Sequence, residues 1–161
     1  FEHADYHLIR DSKTLSGLQL QRANALVREI ALGASVGECS SDEIDALGIA
    51  PATRQAMRRA LDGLPEAPMH LLIDAFPLDW HLVPCTPIIK GDSLCTAISA
   101  ASIIAKVYRD SLMERMDVEH PGYGLSGHKG YASAMHLEAV ARLGPSPVHR
   151  KSFSPFKPTL F

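Results

Sequence analysis

KGDSLCTAISAASIIAKVYRD, residues 90–110, combines a glycine-aspartate turn with a long helical pattern. Asp92 is a candidate cap for a helix that begins near Ser93, because a short side-chain oxygen there satisfies a free backbone N–H. A polar stripe on this helix ends at Asp110, one turn after Lys106. Asp110 is therefore either a salt-bridged surface group, the commoner role of a helical aspartate, or a metal ligand. Apolar residues at helical spacing predict one buried stripe: Leu94, Ile98, Ala101, Ala105, Tyr108 and Leu112.

Two strands are predicted before this helix. Residues 69–75, MHLLIDA, form a continuous apolar run, which is typical of a strand buried in a parallel sheet. A shorter strand is predicted at residues 86–89. Asp74 lies at the carboxyl end of the first strand, where ligands bind in open α/β sheets. The alternative is an aspartate that only initiates a turn.

Asp74 and Asp110 could share a divalent cation. Hard cations such as Mg²⁺ bind carboxylate oxygens and complete their shells with water and substrate phosphates. Two such ions would activate a water and stabilise the leaving oxygen of a phosphoryl displacement. Two carboxylates are too few to hold two ions, and the remaining candidates, Asp92 and Glu114, are poorly placed in the sequence.

The rest of the chain alternates helices with loops. Capping residues followed by apolar residues at helical spacing predict helices near residues 17–30, 40–47, 51–61 and 133–143, and the helix after Asp92 should continue to about Val118. Small, β-tolerant residues at 31–39 predict a further strand. The pattern favours an α/β fold in a single domain, residues 1–161.

Composition limits the class of protein. A net charge of −2 over 161 residues provides no global attraction for nucleic acid, so any such site must be local. Three cysteines in no metal-spaced pair argue against a disulfide framework and favour a cytoplasmic protein. The sequence contains no apolar run of about 18 residues and no visible signal peptide, so we expect no membrane span.

The loop at residues 122–131 interleaves glycines with basic and aromatic side chains. Glycines let main-chain N–H groups approach phosphate oxygens, Lys129 would neutralise one phosphate, and Tyr131 offers a ring for stacking on a sugar or base. The alternative is an ordinary surface loop. A basic cluster follows at residues 147–153. Three histidines fit no standard zinc-ligand spacing: His120, His128 and His136.

Six motifs, in order along the chain, resemble those of bacterial ribonuclease HII, the type 2 ribonuclease H family. They are Asp11-Ser12-Lys13 with Leu15-Ser16, the segments from Glu43 to Met57, Leu72-Ile73-Asp74, Lys90-Gly91-Asp92, the helix segments from Ala100 to Asp110, and a C-terminal signature between Tyr123 and Phe153. The resemblance covers almost the whole chain.

This resemblance implies a ribonuclease H-like α/β fold, a mixed sheet flanked by helices, with residues 119–161 as a C-terminal helical extension. It implies a monomeric endoribonuclease that cleaves the RNA strand of RNA-DNA hybrids, including single ribonucleotides embedded in duplex DNA, and leaves 5′-phosphate and 3′-hydroxyl ends. Mn²⁺ or Mg²⁺ is the implied cofactor, with Asp74 and Asp110 as catalytic metal ligands. Tyr131 would stack on the deoxyribose after the ribonucleotide. Four basic residues would contact phosphates: Lys13, Lys90, Lys129 and Arg150.

One departure concerns the start of the family pattern. The first strand of the family carries an Asp-Glu pair and then a Gly-Arg-Gly loop that senses the 2′-hydroxyl, and residues 1–161 contain no such segment. Since the chain begins at Phe1 rather than Met, we expect that N-terminal strands are missing. The 161-residue polypeptide should then be inactive and prone to aggregation through open sheet edges. Alternative interpretations are an incomplete fragment that only binds nucleic acid, a structural protein, and another phosphoryl-transfer enzyme of the same fold.

Overall fold

Two parallel strands, β1 (Leu71–Asp74) and β2 (Cys85–Ile88), pair in the computed structural model, which describes residues 5–156. Leu71 lies opposite Cys85, and Asp74 lies opposite Ile88. Both predicted strands and their parallel pairing are confirmed, the second beginning one residue earlier than expected, but the expected burial of the first is wrong, since Leu72 is 43% exposed. Together with the helices they confirm the α/β class.

Helices account for most of the remaining regular structure. Within residues 5–156 the α-helices are α1 (Gly17–Ile30), α2 (Ser41–Leu47), α3 (Ile49–Asp62), α4 (Gly91–Leu94), α5 (Thr96–Glu119), α6 (Leu125–His128) and α7 (Ala134–Leu143). Short 3-10 turns cover Tyr6–Leu8 and Ser12–Thr14. No helix in this part of the chain is long and apolar enough to cross a membrane.

Capping residues explain where several helices begin. Ser16 accepts the N–H of Gln19, whose side chain accepts the N–H of Ser16, so α1 begins with a capping box. Ser40 and Glu43 form the same arrangement at α2. Ser133 caps α7 by accepting the N–H of His136. The predicted starts of these helices are confirmed.

Two local predictions are wrong. Residues 31–39 form no strand, because glycines such as Gly33 and Gly37 disfavour strand pairing. Asp92 does not cap the long helix: α4 begins at Gly91, the chain is extended at Cys95, and α5 begins only at Thr96.

The predicted apolar stripe of the long helix is confirmed only in part, at buried Ile98 and at half-buried Tyr108 and Leu112. Leu94 is 74% exposed because it precedes the break at Cys95. Ala101 and Ala105 are exposed as well, whereas Ile103 and Ile104, which were not part of the predicted stripe, are buried. The buried face of α5 is therefore rotated relative to the predicted one.

The chain divides into two compact units. The first contains residues up to Gly37 together with Arg58–Tyr108, and the second contains Glu38–Met57 together with residues from Arg109 onward. The prediction of one domain with residues 119–161 as an extension stays a prediction.

Each unit has its own apolar cluster. In the first unit α1 packs against the first half of α5, and each fully buried aliphatic side chain contributes about 1.5–3 kcal/mol; this cluster contains Leu8, Ile9, Leu20, Ala23, Leu26, Val27, Ile103 and Ile104. In the second unit Tyr123, Leu125, Ala139 and Val140 form the cluster.

Candidate functional site

Asp74 lies at the carboxyl end of β1 and is held by the turn after β2. The main-chain N–H of Gly91 donates a 2.8 Å hydrogen bond to Oδ1 of Asp74. Glycine avoids a steric overlap at this position, since an added Cβ would lie 2.5 Å from Cδ1 of Ile98. The hydrogen bond from Gly91 therefore orients one carboxylate oxygen of Asp74.

Lys13 lies near Asp74 in the first unit. Nζ of Lys13 donates to Oδ2 of Asp92 at 2.8 Å. This hydrogen bond and the charge of Asp92 raise the pKa of Lys13, and the charges of Asp11 and Asp74 contribute further. The pKa of Asp92 is correspondingly lowered, chiefly by its hydrogen bond with Lys13. The Lys13 side chain is 75% exposed, so its ammonium can reach a phosphate while remaining charged.

Lys90 completes the predicted basic residues of the first unit. It is exposed and has a left-handed backbone (φ 58°), which turns the chain from β2 into α4. The next residue is Gly91, the partner of Asp74. The structure thus brings Lys13, Asp74 and Lys90 to one edge of the sheet, the edge at which ligands bind in α/β folds.

Asp110 belongs to the second unit, near the predicted loop. Lys129 Nζ lies 3.4 Å from the main-chain oxygen of Asp110 and 2.9 Å from Oε1 of Glu114. The ammonium of Lys129 is thus already paired with Glu114, and a phosphate would have to share it. Because Asp74 and Asp110 belong to different units, a cation shared by them stays a prediction.

The predicted glycine-rich loop contains the short helix α6 followed by two left-handed residues, Lys129 (φ 51°) and Gly130 (φ 82°). Arg109 supports this turn by donating from Nη2 to the main-chain oxygen of Lys129 at 3.2 Å. The positive φ at position 130 favours glycine, and a Cβ there would lie 3.0 Å from that same nitrogen, so the Arg109 side chain would have to shift slightly. The Tyr131 ring is 75% exposed.

Arg150 is the last predicted substrate residue. Its guanidinium lies 4.2 Å from the centre of the Phe153 ring, a cation–π contact that orients it. Burial lowers the pKa of Arg109, and the charge of Arg150 lowers it further. Both guanidinium groups therefore contribute positive potential to the same part of the second unit, as a phosphate-binding surface requires.

Sequence reasoning missed three residues that orient the predicted ones. Gly91 holds Asp74 through its N–H, as described above. Asp45 accepts the N–H groups of Lys151 and Ser152, directly after Arg150. Asp117 accepts the N–H of Leu125 at the start of α6. Asp45 belongs to one of the motifs quoted above, but nothing in the neighbouring sequence indicated its partners. They lie 106 and 107 residues further along the chain.

The donor chemistry fits a hard cation. Asp74 offers a half-buried carboxylate with one oxygen fixed by an N–H, and oxygen ligands of this kind suit Mg²⁺ or Mn²⁺. Among residues 5–156 no group of three or more His, Cys, Asp or Glu side chains could hold a metal ion by itself. A cation bound here would therefore take further ligands from water or substrate.

Comparison with solved structures identifies the class of fold. The structure is similar to the crystal structure of ribonuclease H2 from Pyrococcus horikoshii OT3, with a TM-score of 0.76 over 95% of this chain and 80% of that chain. At 23% sequence identity this likeness shows the fold alone, which is the ribonuclease H-like α/β fold expected from the sequence.

Comparison of sequences identifies the family. The sequence model for ribonuclease HII matches residues 6–155. The ribonuclease HII of Dehalococcoides mccartyi (strain BAV1) is 43% identical over 150 residues, which cover 93% of this chain and 71% of that protein. The chain belongs to the ribonuclease HII family, which is divalent-metal dependent and acts on RNA-DNA hybrids.

Proposed function

We propose that this protein cleaves the RNA strand of RNA-DNA hybrids and also cleaves at single ribonucleotides embedded in duplex DNA. The reaction is a metal-dependent hydrolysis of a phosphodiester that leaves 5′-phosphate and 3′-hydroxyl ends. The observation that carries the proposal is the fixed carboxylate of Asp74 at the carboxyl edge of the sheet, within a chain of this family.

Asp74 and Asp110 are the proposed ligands of Mn²⁺ or Mg²⁺. When bound, such an ion lowers the pKa of a water and stabilises charge on phosphate oxygens. The protein contributes orientation: Gly91 fixes one oxygen of Asp74, which spares the carboxylate from reorganising when substrate binds. Asp110 is held on the helix α5, and Lys129 contacts its main-chain oxygen and the carboxylate of Glu114 one turn later.

The substrate backbone is proposed to contact basic residues of both units. Lys13 and Lys90 are exposed at the sheet edge, and Arg150 is oriented by Phe153. Lys129 also remains a proposed phosphate ligand; like Lys13, which is paired with Asp92, it would share its ammonium between a phosphate and a carboxylate. Tyr131 presents an exposed ring that would stack on the deoxyribose after the ribonucleotide.

The decisive experiment compares Asp74→Asn and Asp110→Asn with wild type in the natural gene product that contains this chain. Asparagine keeps an oxygen that can accept the Gly91 N–H, so the fold at position 74 should survive while the charge is lost. We expect cleavage of a duplex with one ribonucleotide to be abolished and hybrid binding to be retained. Asp42→Asn, an exposed carboxylate on α2, is the matched control and should cleave normally.

The alternative function is nucleic-acid binding without cleavage. It predicts hybrid binding that weakens steeply with salt and requires no metal. Because residues 1–161 include only two of the family's four acids, we propose this behaviour for a polypeptide of those residues alone. Robust metal-dependent turnover by that polypeptide would refute this second proposal without affecting the first.

The proposed location is the cytoplasm, and the proposed enzyme is a monomer. It would either remove RNA primers during DNA replication or incise DNA at ribonucleotides during ribonucleotide excision repair. Relative rates on a continuous hybrid and on a single-ribonucleotide duplex separate these roles. A strong preference for the single ribonucleotide would favour repair.

A further inference from the structure

Three histidines of the second unit, His128, His136 and His149, form a group of hydrogen-bonded and stacked rings next to the backbone of Tyr131. Nε2 of His136 and Nε2 of His149 are 3.1 Å apart, and the two residues are 9% and 8% exposed. The His128 ring stacks on the His136 ring at 4.2 Å with an interplanar angle of 15°. The metal chemistry proposed above uses none of these rings.

Their neighbours determine where the ring protons lie. The main-chain oxygen of Tyr131 can only accept, so Nδ1 of His136 must donate to it across 2.9 Å. A neutral His136 then has an accepting Nε2, to which His149 must donate from its own Nε2. Nδ1 of His149 is left to accept the N–H of Ser146 at 3.1 Å, and the Ser146 hydroxyl, 2.7 Å away, then donates to the same nitrogen. One arrangement of two neutral rings satisfies every contact.

This arrangement holds the backbone of Tyr131 through its main-chain oxygen. Its carbonyl accepts from His136 and also from the N–H of Ser133 at 2.8 Å, while its N–H donates to the carbonyl of His128 at 2.9 Å. The side chain of Tyr131 is 75% exposed. The histidines thus fix the point from which the ring projects into solvent.

We propose that His136 is a positioning residue that aims Tyr131 at the sugar beside the cleaved bond, and that His149 fixes the tautomer His136 needs. His149 directly precedes Arg150, a proposed phosphate contact. The hydrogen bond between His136 and His149 therefore connects the residue that carries the stacking ring, Tyr131, with that contact. The inference rests on the proposed function, in which Tyr131 helps to read the RNA-to-DNA junction. His136 and His149 therefore set specificity for that junction without touching the substrate.

Two substitutions of His136 test whether this residue positions Tyr131 or only stabilises the surrounding structure. In His136→Asn the amide nitrogen replaces Nδ1 and can still donate to Tyr131. In His136→Gln the amide replaces Nε2 and keeps only the link to His149. We expect His136→Gln to raise KM for a single-ribonucleotide duplex by roughly 3- to 10-fold, the cost of one lost hydrogen bond, and His136→Asn to raise it less. His70→Gln, an exposed histidine of the first unit, is the control.

A double substitution tests whether His136 acts through Tyr131. In a Tyr131→Ala background, adding His136→Gln should leave KM unchanged, because the ring to be positioned is gone. If His136→Gln lowers kcat or raises KM equally in both backgrounds, the proposal is overturned. Should His136→Gln fail to fold, His149→Asn replaces it, since that variant keeps the Ser146 contact and loses the link to His136.

Hydrogen exchange provides a readout that needs no substrate. The amides of Tyr131 and Ser133 should exchange faster in His136→Gln than in His136→Asn. Equal exchange in the two variants would overturn the positioning role even if the enzyme is active. Conversely, a wild-type protein that cleaves no hybrid would refute the proposed function, while the exchange comparison would still decide whether His136 holds Tyr131.

Discussion

The main-chain N–H of Gly91 donates a 2.8 Å hydrogen bond to Oδ1 of Asp74, 17 residues earlier in the chain. This bond connects the end of β1 to the turn that follows β2. Glycine lets this turn pack closely against buried Ile98, since a Cβ at position 91 would lie 2.5 Å from Cδ1 of that residue. The orientation of the proposed metal ligand therefore depends on a residue that has no side chain.

Gly91→Ala should destabilise the protein and reduce cleavage. The added Cβ would overlap Cδ1 of Ile98, and overpacking of this kind costs about 1–3 kcal/mol in the free energy of unfolding. Displacement of the Gly91 N–H should also release Asp74, so kcat should fall while hybrid affinity changes little. Urea unfolding and steady-state cleavage measure both effects. Gly17→Ala is the control, since nothing lies within 4 Å of its Cβ; equal losses in both variants would contradict the explanation.

Asp117→Ala should loosen the start of α6. The carboxylate of Asp117 accepts the N–H of buried Leu125 at 2.7 Å and the hydroxyl of Ser126. A buried N–H without a partner costs roughly 1–3 kcal/mol, and we expect a loss of that size in the free energy of unfolding. Asp117→Asn keeps an acceptor for Leu125 and should lose less. If the two variants unfold at the same urea concentration, this hydrogen bond is not the cause.

Asp45→Ala should weaken hybrid binding through Arg150. Asp45 accepts the N–H groups of Lys151 and Ser152 at 2.7 and 3.0 Å, and the Ser152 hydroxyl bond is the main cause of its lowered pKa. Without the Asp45 carboxylate, the segment after Arg150 loses its attachment to α2. The Kd for the hybrid should therefore rise.

A salt titration tests that effect, with Asp42→Asn as the control on the same helix. The dependence of Kd on salt should become shallower in Asp45→Ala if one phosphate contact is lost. An unchanged Kd and salt dependence would mean that Asp45 does not position Arg150.

Stability should fall on mild acidification because of His149. Burial lowers the pKa of His149 below its ordinary value of 6.5, and the adjacent His136 lowers it further, with smaller effects from His120 and His128. The unfolded chain therefore takes up this proton at a higher pH than the folded one. The contribution of His149 to the free energy of unfolding is complete above about pH 6.5. It is lost as the pH falls from that value through the lowered pKa of the folded state.

Urea unfolding between about pH 8 and pH 5 measures this loss. His149→Gln cannot gain the proton, so its stability should change less over that range than that of wild type. Carboxylates such as Asp117, whose pKa is lowered from 3.8 chiefly by Ser126, lose their contribution only at more acidic pH. A variant that retains the full wild-type pH dependence would show that another group is responsible.

Sequence reasoning predicted α1, α2 and α7 well because each begins with a serine whose cap involves residues only three positions away. It also predicted β1 and placed Asp74 at its carboxyl end. It failed at Asp92, which local propensity made a cap but which instead pairs with Lys13, 79 residues away. Competition between a local cap and a distant ion pair cannot be judged from neighbouring residues.

The sequence by itself determined the family, the α/β class and the positions of most helices, because motifs, caps and hydrophobic periodicity are encoded within a few consecutive residues. Only the tertiary structure decided which face of α5 is buried, that Gly91 orients Asp74, and that His136 and His149 stand behind Tyr131. Those relationships join residues distant in the chain, and they depend on close packing, directional hydrogen bonds and the tautomer that buried neighbours impose.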